Sequence, residues 1–95
     1  MFTANKHDRY LEELCEQLED DYDLILKNIP LLSKKRRRVA EIDVLAIKGD
    51  QCDVYEVKCS YRKTKAKRQL DKIRKLLDIR HTFLFCGESG KIESI

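Results

Sequence analysis

The chain has 95 residues, 42% hydrophobic and 39% charged, with a formal net charge of +3. That length suits one domain, near the small end of what holds a core by itself, and the apolar fraction is too high for a disordered chain. No apolar run approaches the roughly 18–20 residues that cross a bilayer, and residues 1–9 lack the apolar centre of a signal peptide, so the expectation is a soluble cytoplasmic protein.

Asp8 suits a helix N-cap, and Leu11, Leu14, Cys15 and Leu18 follow at helical spacing as one apolar stripe. This helix should stop near Asp20 and Asp21. Residues 24–32, rich in Leu and Ile, read as a strand with Pro30 near its end or at an edge. The run Lys34, Lys35, Arg36, Arg37, Arg38 follows as a loop or hairpin flank. Residues 41–47 read as a second strand, Gly49 and Asp50 as a turn, and residues 53–59 as a third strand, so the last two should form a hairpin. Residues 64–78 carry Ala66, Leu70, Ile73 and Leu77 at helical spacing, with the other faces basic. Residues 81–86 read as a fourth strand closed by Gly87, and the tail from Glu88 as a short turn or a last edge strand. The order αβββαβ predicts an α/β single domain over residues 1–95, with a four-stranded mixed sheet flanked by helices.

Cys15, Cys52, Cys59 and Cys86 form no CxxC pair, and no histidine stands at a zinc-ligand spacing from them. They read as small hydrophobes. The three glycines suit turns, and none belongs to a phosphate-binding loop. His7 and His81 have no nucleophile near them in sequence and read as structural, which leaves no case for a histidine-driven mechanism.

Charge is segregated. Residues 8–23 hold eight acids against one base, whereas residues 61–75 hold eight bases against Asp71 alone. With the run at 34–38, thirteen of the twenty bases fall in two short stretches, the electrostatic footprint of a polyanion binder. The competing reading is two solvated faces on a charge-rich surface.

Along a strand, side chains alternate, so Glu56 and Lys58 share a face with Val54 while Tyr55 and Val57 point the other way. On the preceding strand Glu41 and Asp43 share a face opposite Ile42 and Val44. A hairpin register that sets Asp43 beside Glu56 brings two carboxylates and an ammonium together. Such carboxylates repel unless neutralised. Mg²⁺, which prefers oxygen ligands and keeps several waters, does so and can polarise a phosphodiester and activate water. Lys58 could orient that water or stabilise the pentavalent phosphorane. The alternative is a solvated salt bridge on an ordinary hairpin.

The segments EIDVLAI (41–47) and DVYEVKCS (53–60), followed by a basic helix containing KRQLDKI (67–73), resemble the PD-(D/E)XK nuclease superfamily. The likeness spans the first helix to the fourth strand and looks closest to archaeal Holliday-junction resolvases and Mrr-type endonuclease domains. Ile42 stands where the superfamily's name has proline. The resemblance implies a restriction-endonuclease-like fold and a metal held by Asp43, Glu56 and the Val57 carbonyl. It makes Lys58 the catalytic lysine, with Mg²⁺ as cofactor and Mn²⁺ expected to substitute. It also implies a glutamate from the first helix, Glu12 with Glu16 in reserve, and a polar residue on the second helix, Gln69. For each of these helix residues a plain solvated role stands as the alternative.

The partner implied is DNA, held through Lys34, Lys35, Arg36, Arg37, Arg38, Arg62, Lys63, Lys65, Lys67, Arg68 and Lys72. Such phosphate contacts give affinity without base specificity. A nucleoid-associated homodimer making structure-dependent or weakly specific cuts is expected, the dimer by family analogy alone. The competing readings are a non-catalytic nucleic-acid-binding subunit or regulator on the same fold and, third, an RNA-processing nuclease, for which no aromatic stacking platform is evident.

Overall fold

The computed structural model describes residues 5–95, so the first four residues of the stretch read for a signal peptide lie outside it. The elements are α1 (Lys6–Leu18), β1 (Leu24–Leu32), β2 (Arg38–Lys48), β3 (Gln51–Lys58), α2 (Lys63–Arg74), β4 (His81–Cys86) and β5 (Lys91–Ser94). The strands form one mixed sheet in the order β1-β2-β3-β4-β5, antiparallel throughout except for β3 and β4. The expected elements are all present. The tail adds a fifth strand beyond the four expected, turning back at Gly90, whose φ of 71° is open to glycine without strain.

Helix α1 starts earlier than expected. Asn5, not Asp8, is the N-cap, its side chain accepting from the Asp8 backbone N–H at 2.9 Å. His7 therefore lies in the first helical turn. Helix α2 ends at Arg74, short of residue 78, and Leu77 is 37% exposed while Ile79 enters the core in its place. Arg74 reaches past the helix end to the Ile79 carbonyl and the Thr82 hydroxyl, tying the chain into β4.

The two helices cover opposite faces. Leu11, Leu14 and Leu18 of α1 pack on Val44, Ala46, Tyr55, Val57 and Phe85. Leu70 and Ile73 of α2 pack with Ile42, Val54 and Ile79. Covered on both sides, β3 is buried from Asp53 through Val57. Gly87 closes β4 where a Cβ would land on the Tyr10 ring. Among the described residues no helix is long and apolar enough to cross a membrane.

Simple alternation fails in one place. Ala40 and Ile42 face the α2 cluster, yet Val44 and Ala46 face the α1 cluster. On β1 the same change occurs between Ile25 and Ile29. The β1–β2 ribbon therefore twists about Asn28 and Asp43, which stand opposite each other between the pairs Lys27↔Val44 and Ile29↔Ile42. Asn28 has a φ of 53°, a left-handed conformation that asparagine tolerates better than most residues. Past this pivot β2 leaves β3, since their ladder ends at Val44↔Tyr55.

Candidate active site

The parting of β2 from β3 leaves Val57 without a β2 carbonyl for its N–H. A buried donor needs a partner, and the Asp43 side chain supplies one, Oδ2 accepting from Val57 N at 2.9 Å. Asp43 is thus fixed at the pivot by the backbone it replaces. Glu56, next to Val57, brings its carboxyl within hydrogen-bonding reach of Asp43.

Glu56 is 3% exposed, and its Oε2 is the one buried side-chain polar atom without a partner among the described residues. Burial, then the adjoining Asp43 carboxyl, pushes Glu56 up to about 9, against a smaller opposing pull from Lys58. Asp43 Oδ2 has an N–H donor, whereas Glu56 Oε2 has none, and Glu56 is the acid that keeps its proton at neutral pH. Glu41 adds further negative charge nearby.

A second buried acid on β3 shows the contrast. Asp53 receives Arg80 in a two-pronged pair (3.0 and 2.8 Å), the Tyr22 hydroxyl (2.6 Å) and the His81 N–H (3.2 Å). Burial alone would push Asp53 up, but the hydrogen bonds from Arg80 and Tyr22 outweigh it and hold the carboxyl below its usual value. Asp53 is a satisfied structural anion, whereas Glu56 keeps one oxygen without a partner.

Of the residues singled out from the sequence, Asp43, Glu56 and Lys58 come together. Gln69 and Lys72 line a small cleft of about 100 Å³ with Glu41, on the side of the sheet covered by α2. The helix acid is elsewhere. Glu12 is taken by Lys27 of β1 at 2.7 Å, and Glu16 lies with it along a groove of about 600 Å³ between α1 and Asn28, lined also by Asp8 and Glu13. Neither of these acids bonds Asp43 or bears on Glu56.

α1 contributes a different residue. His7 Nε2 is 3.0 Å from the Val57 carbonyl oxygen and 3.5 Å from Asp43 Oδ2. The sequence held a signal for it: residues 7, 11, 14 and 18 form one continuous stripe, so His7 is a polar residue at a core-facing position. A helix beginning at Asp8 leaves His7 outside that stripe.

Lys34, Lys35, Arg36, Arg37 and Arg38 are all exposed at the turn between β1 and β2, where Arg36 has a φ of 62°. The outer half of that ribbon packs with α2, through Ile29, Leu31, Ala40 and Ile42. Both cationic stretches therefore attach to the α2 side of the sheet. Arg62, Lys63, Lys65, Lys67, Arg68 and Lys72 are exposed there, Lys63 paired with Glu93 at 2.9 Å. Cys86 is buried, and Cys15 and Cys52 pack against the two cores.

As to a metal, the fit rests on the orphaned Glu56 oxygen beside Asp43 and the Val57 carbonyl, an oxygen-rich set that suits a hard divalent cation. Among the described residues no three His, Cys, Asp or Glu side chains gather into a preformed cage. Mg²⁺ does not require one, since it is usually held by one or two carboxylates and keeps several waters. Compared with known proteins, the chain matches no family model and no curated protein.

Proposed function

We propose that this chain is a divalent-metal-dependent deoxyribonuclease with a restriction-endonuclease-like fold of the PD-(D/E)XK type. The observation that carries the reading is the Asp43–Glu56 carboxyl pair at the parting of β2 and β3, with one buried oxygen unpartnered and Lys58 alongside. Asp43, Glu56 and the Val57 carbonyl would hold the ion. When bound, Mg²⁺ or Mn²⁺ supplies positive charge at the scissile phosphate and acidifies a water.

The chain's own residues do the rest. Glu56 would release its proton to solvent on holding a cation, whose charge would offset the burial and the Asp43 repulsion that keep the acid neutral. Lys58 sets a compact positive charge on the same face, placed to stabilise the phosphate as negative charge builds on it. The basic turn and α2 bind the phosphate backbone on either side, which favours selection by DNA shape, as in a junction resolvase, over reading of a long sequence. A symmetric dimer would present two such sites for paired cuts.

Incubation with four-way junction, flap and linear duplex DNA, in Mg²⁺, Mn²⁺ or chelator, tests this. Cleavage should need the cation and fall about 10²–10³-fold in Lys58→Ala, and Asp43→Asn should abolish it, while both variants keep DNA binding. Cleavage in chelator, or undiminished in both variants, would refute the reading. The exposed basic residues of the β1–β2 turn and α2 carry a second reading, a non-catalytic DNA-binding subunit or regulator. It predicts salt-sensitive binding and no cutting of any substrate.

A further inference from the structure

Tyr61 has no part in the mechanism above, yet its ring is 60% exposed a few residues beyond Lys58. Its hydroxyl donates to Glu93 of β5 at 2.9 Å, and Glu93 is also paired with Lys63 at 2.9 Å. The ring is thus exposed but tethered, and it has little freedom left to lose when something stacks on it. Between Tyr61 and the β4–β5 hairpin lies a cavity of about 270 Å³, walled by Leu84, Cys86 and Ile92 and lined also by the exposed Lys91. Ile92 is itself 41% exposed, so two large hydrophobic side chains open to solvent face one hollow. Its far wall is the fifth strand. Leu84 and Cys86 stand in register with Glu56 and Lys58 on the adjoining strand, so these four side chains share a face of the sheet. One strand spacing of about 4.8 Å compares with about 3.4 Å per nucleotide along a DNA strand. The cavity is therefore a nucleotide or two from a phosphate held at Lys58.

We infer that this cavity takes one unpaired DNA base beside the phosphate that is cut, stacked on Tyr61, so that the preferred substrate carries a single-stranded flap at its branch. The inference rests on the nuclease reading above and adds to it the feature of the substrate that is selected. The volume lies just under the roughly 300–1,000 Å³ of pockets that enclose drug-sized ligands, which suits one planar ring system. Every base has a π-face, so stacking of this kind is tolerant of sequence. A paired base reaches such a cavity only by leaving the duplex stack, a cost that is least for a base already single-stranded. The carboxylate at the cavity, Glu93, carries Lys63 as its own cation and does not repel a polyanion. Lys91 adds a positive charge toward which the neighbouring phosphate can turn.

The test uses the full chain in chelator, where no cutting is expected, with a flap duplex carrying 5-iodouracil at the first unpaired nucleotide. On irradiation, wild type should form a crosslink that peptide mass maps to Tyr61. Tyr61→Ala should bind the flap at least roughly 5-fold more weakly, while its affinity for fully paired linear duplex changes less than about 2-fold. Tyr61→Phe, which keeps the ring and loses the hydroxyl, should retain both the crosslink and the flap affinity. Wild type that binds flap and duplex equally, a crosslink that maps to another residue, or Tyr61→Ala that binds the flap as wild type does would each overturn the role of the cavity. Cation-dependent cleavage, and with it the nuclease reading, would survive any of these. No DNA binding by wild type would sink both.

Discussion

In metal-free protein, Glu56→Gln is expected to raise stability at neutral and alkaline pH and to remove a pH dependence that wild type carries. Glu56 is buried and pushed up from 4.5 to about 9. Below the lower value both native and unfolded chains hold the proton, and the stability this group contributes is fully present. Between the two values the native state holds more protons than the unfolded chain, so stability falls as pH rises, by at most about 1.4 kcal/mol per pH unit. From about pH 5 to about pH 8 the ceiling is roughly 4 kcal/mol. For a chain of 95 residues, an unfolding entropy near 2.1 cal/mol/K per residue makes 1 kcal/mol worth roughly 5 °C in Tm. Glutamine keeps the shape and cannot ionise. The assay is a pair of thermal melts in chelator across that range, read as the variant's Tm minus that of wild type, so that the other titrating groups cancel. The difference should grow by at least roughly 5 °C from the acid to the alkaline end. A difference that stays constant would refute the claim that Glu56 is a neutral buried acid, and with it the release of a proton on cation binding.

Three further outcomes are expected. Asp53→Asn should destabilise the protein at neutral pH through loss of the Arg80 pair. Because the Asp53 carboxyl is held below its usual value, that deficit should be full above about pH 4 and shrink as pH falls further; an equal deficit in strong acid, seen by urea titration, would contradict the ion pair. Gly87→Ala should cost at least about 2 kcal/mol, since its methyl meets the Tyr10 ring, and the companion change Tyr10→Ala should relieve part of that; additive losses would show that the clash is not the cause. Replacing Lys34, Lys35 and Arg37 by serine should weaken DNA binding on every substrate alike and flatten the plot of log K against log salt by about 0.9 for each phosphate left unneutralised. A change confined to one DNA sequence would point to base reading instead.

Much of the site was legible in local pattern. Glu56 and Lys58 share a face because a strand has a period of two, and that required no tertiary information. The charge blocks at 34–38 and 61–75 were visible as composition, and their exposure follows from the cost of burying so many ions. The helical stripes 11, 14, 18 and 66, 70, 73 marked the two faces that meet the sheet. The first helix sets a different residue beside Asp43 from the glutamate singled out in the sequence. Capping at Asn5 instead of Asp8 puts His7 in the helix and beside Asp43, while Glu12, five residues further along on another face, pairs with Lys27.

By itself, then, the sequence determined element types, the shared face of Glu56 and Lys58, and the separation of basic from acidic surface, because each follows from spacing along one segment. Only the tertiary structure decided that the β1–β2 ribbon pivots at Asn28 and Asp43, that Val57 turns to a side chain for its hydrogen bond, and that one Glu56 oxygen is left without a partner. Those depend on where two strands separate and on what α1 and α2 bury on either side, a balance among residues up to fifty positions apart that no local periodicity records.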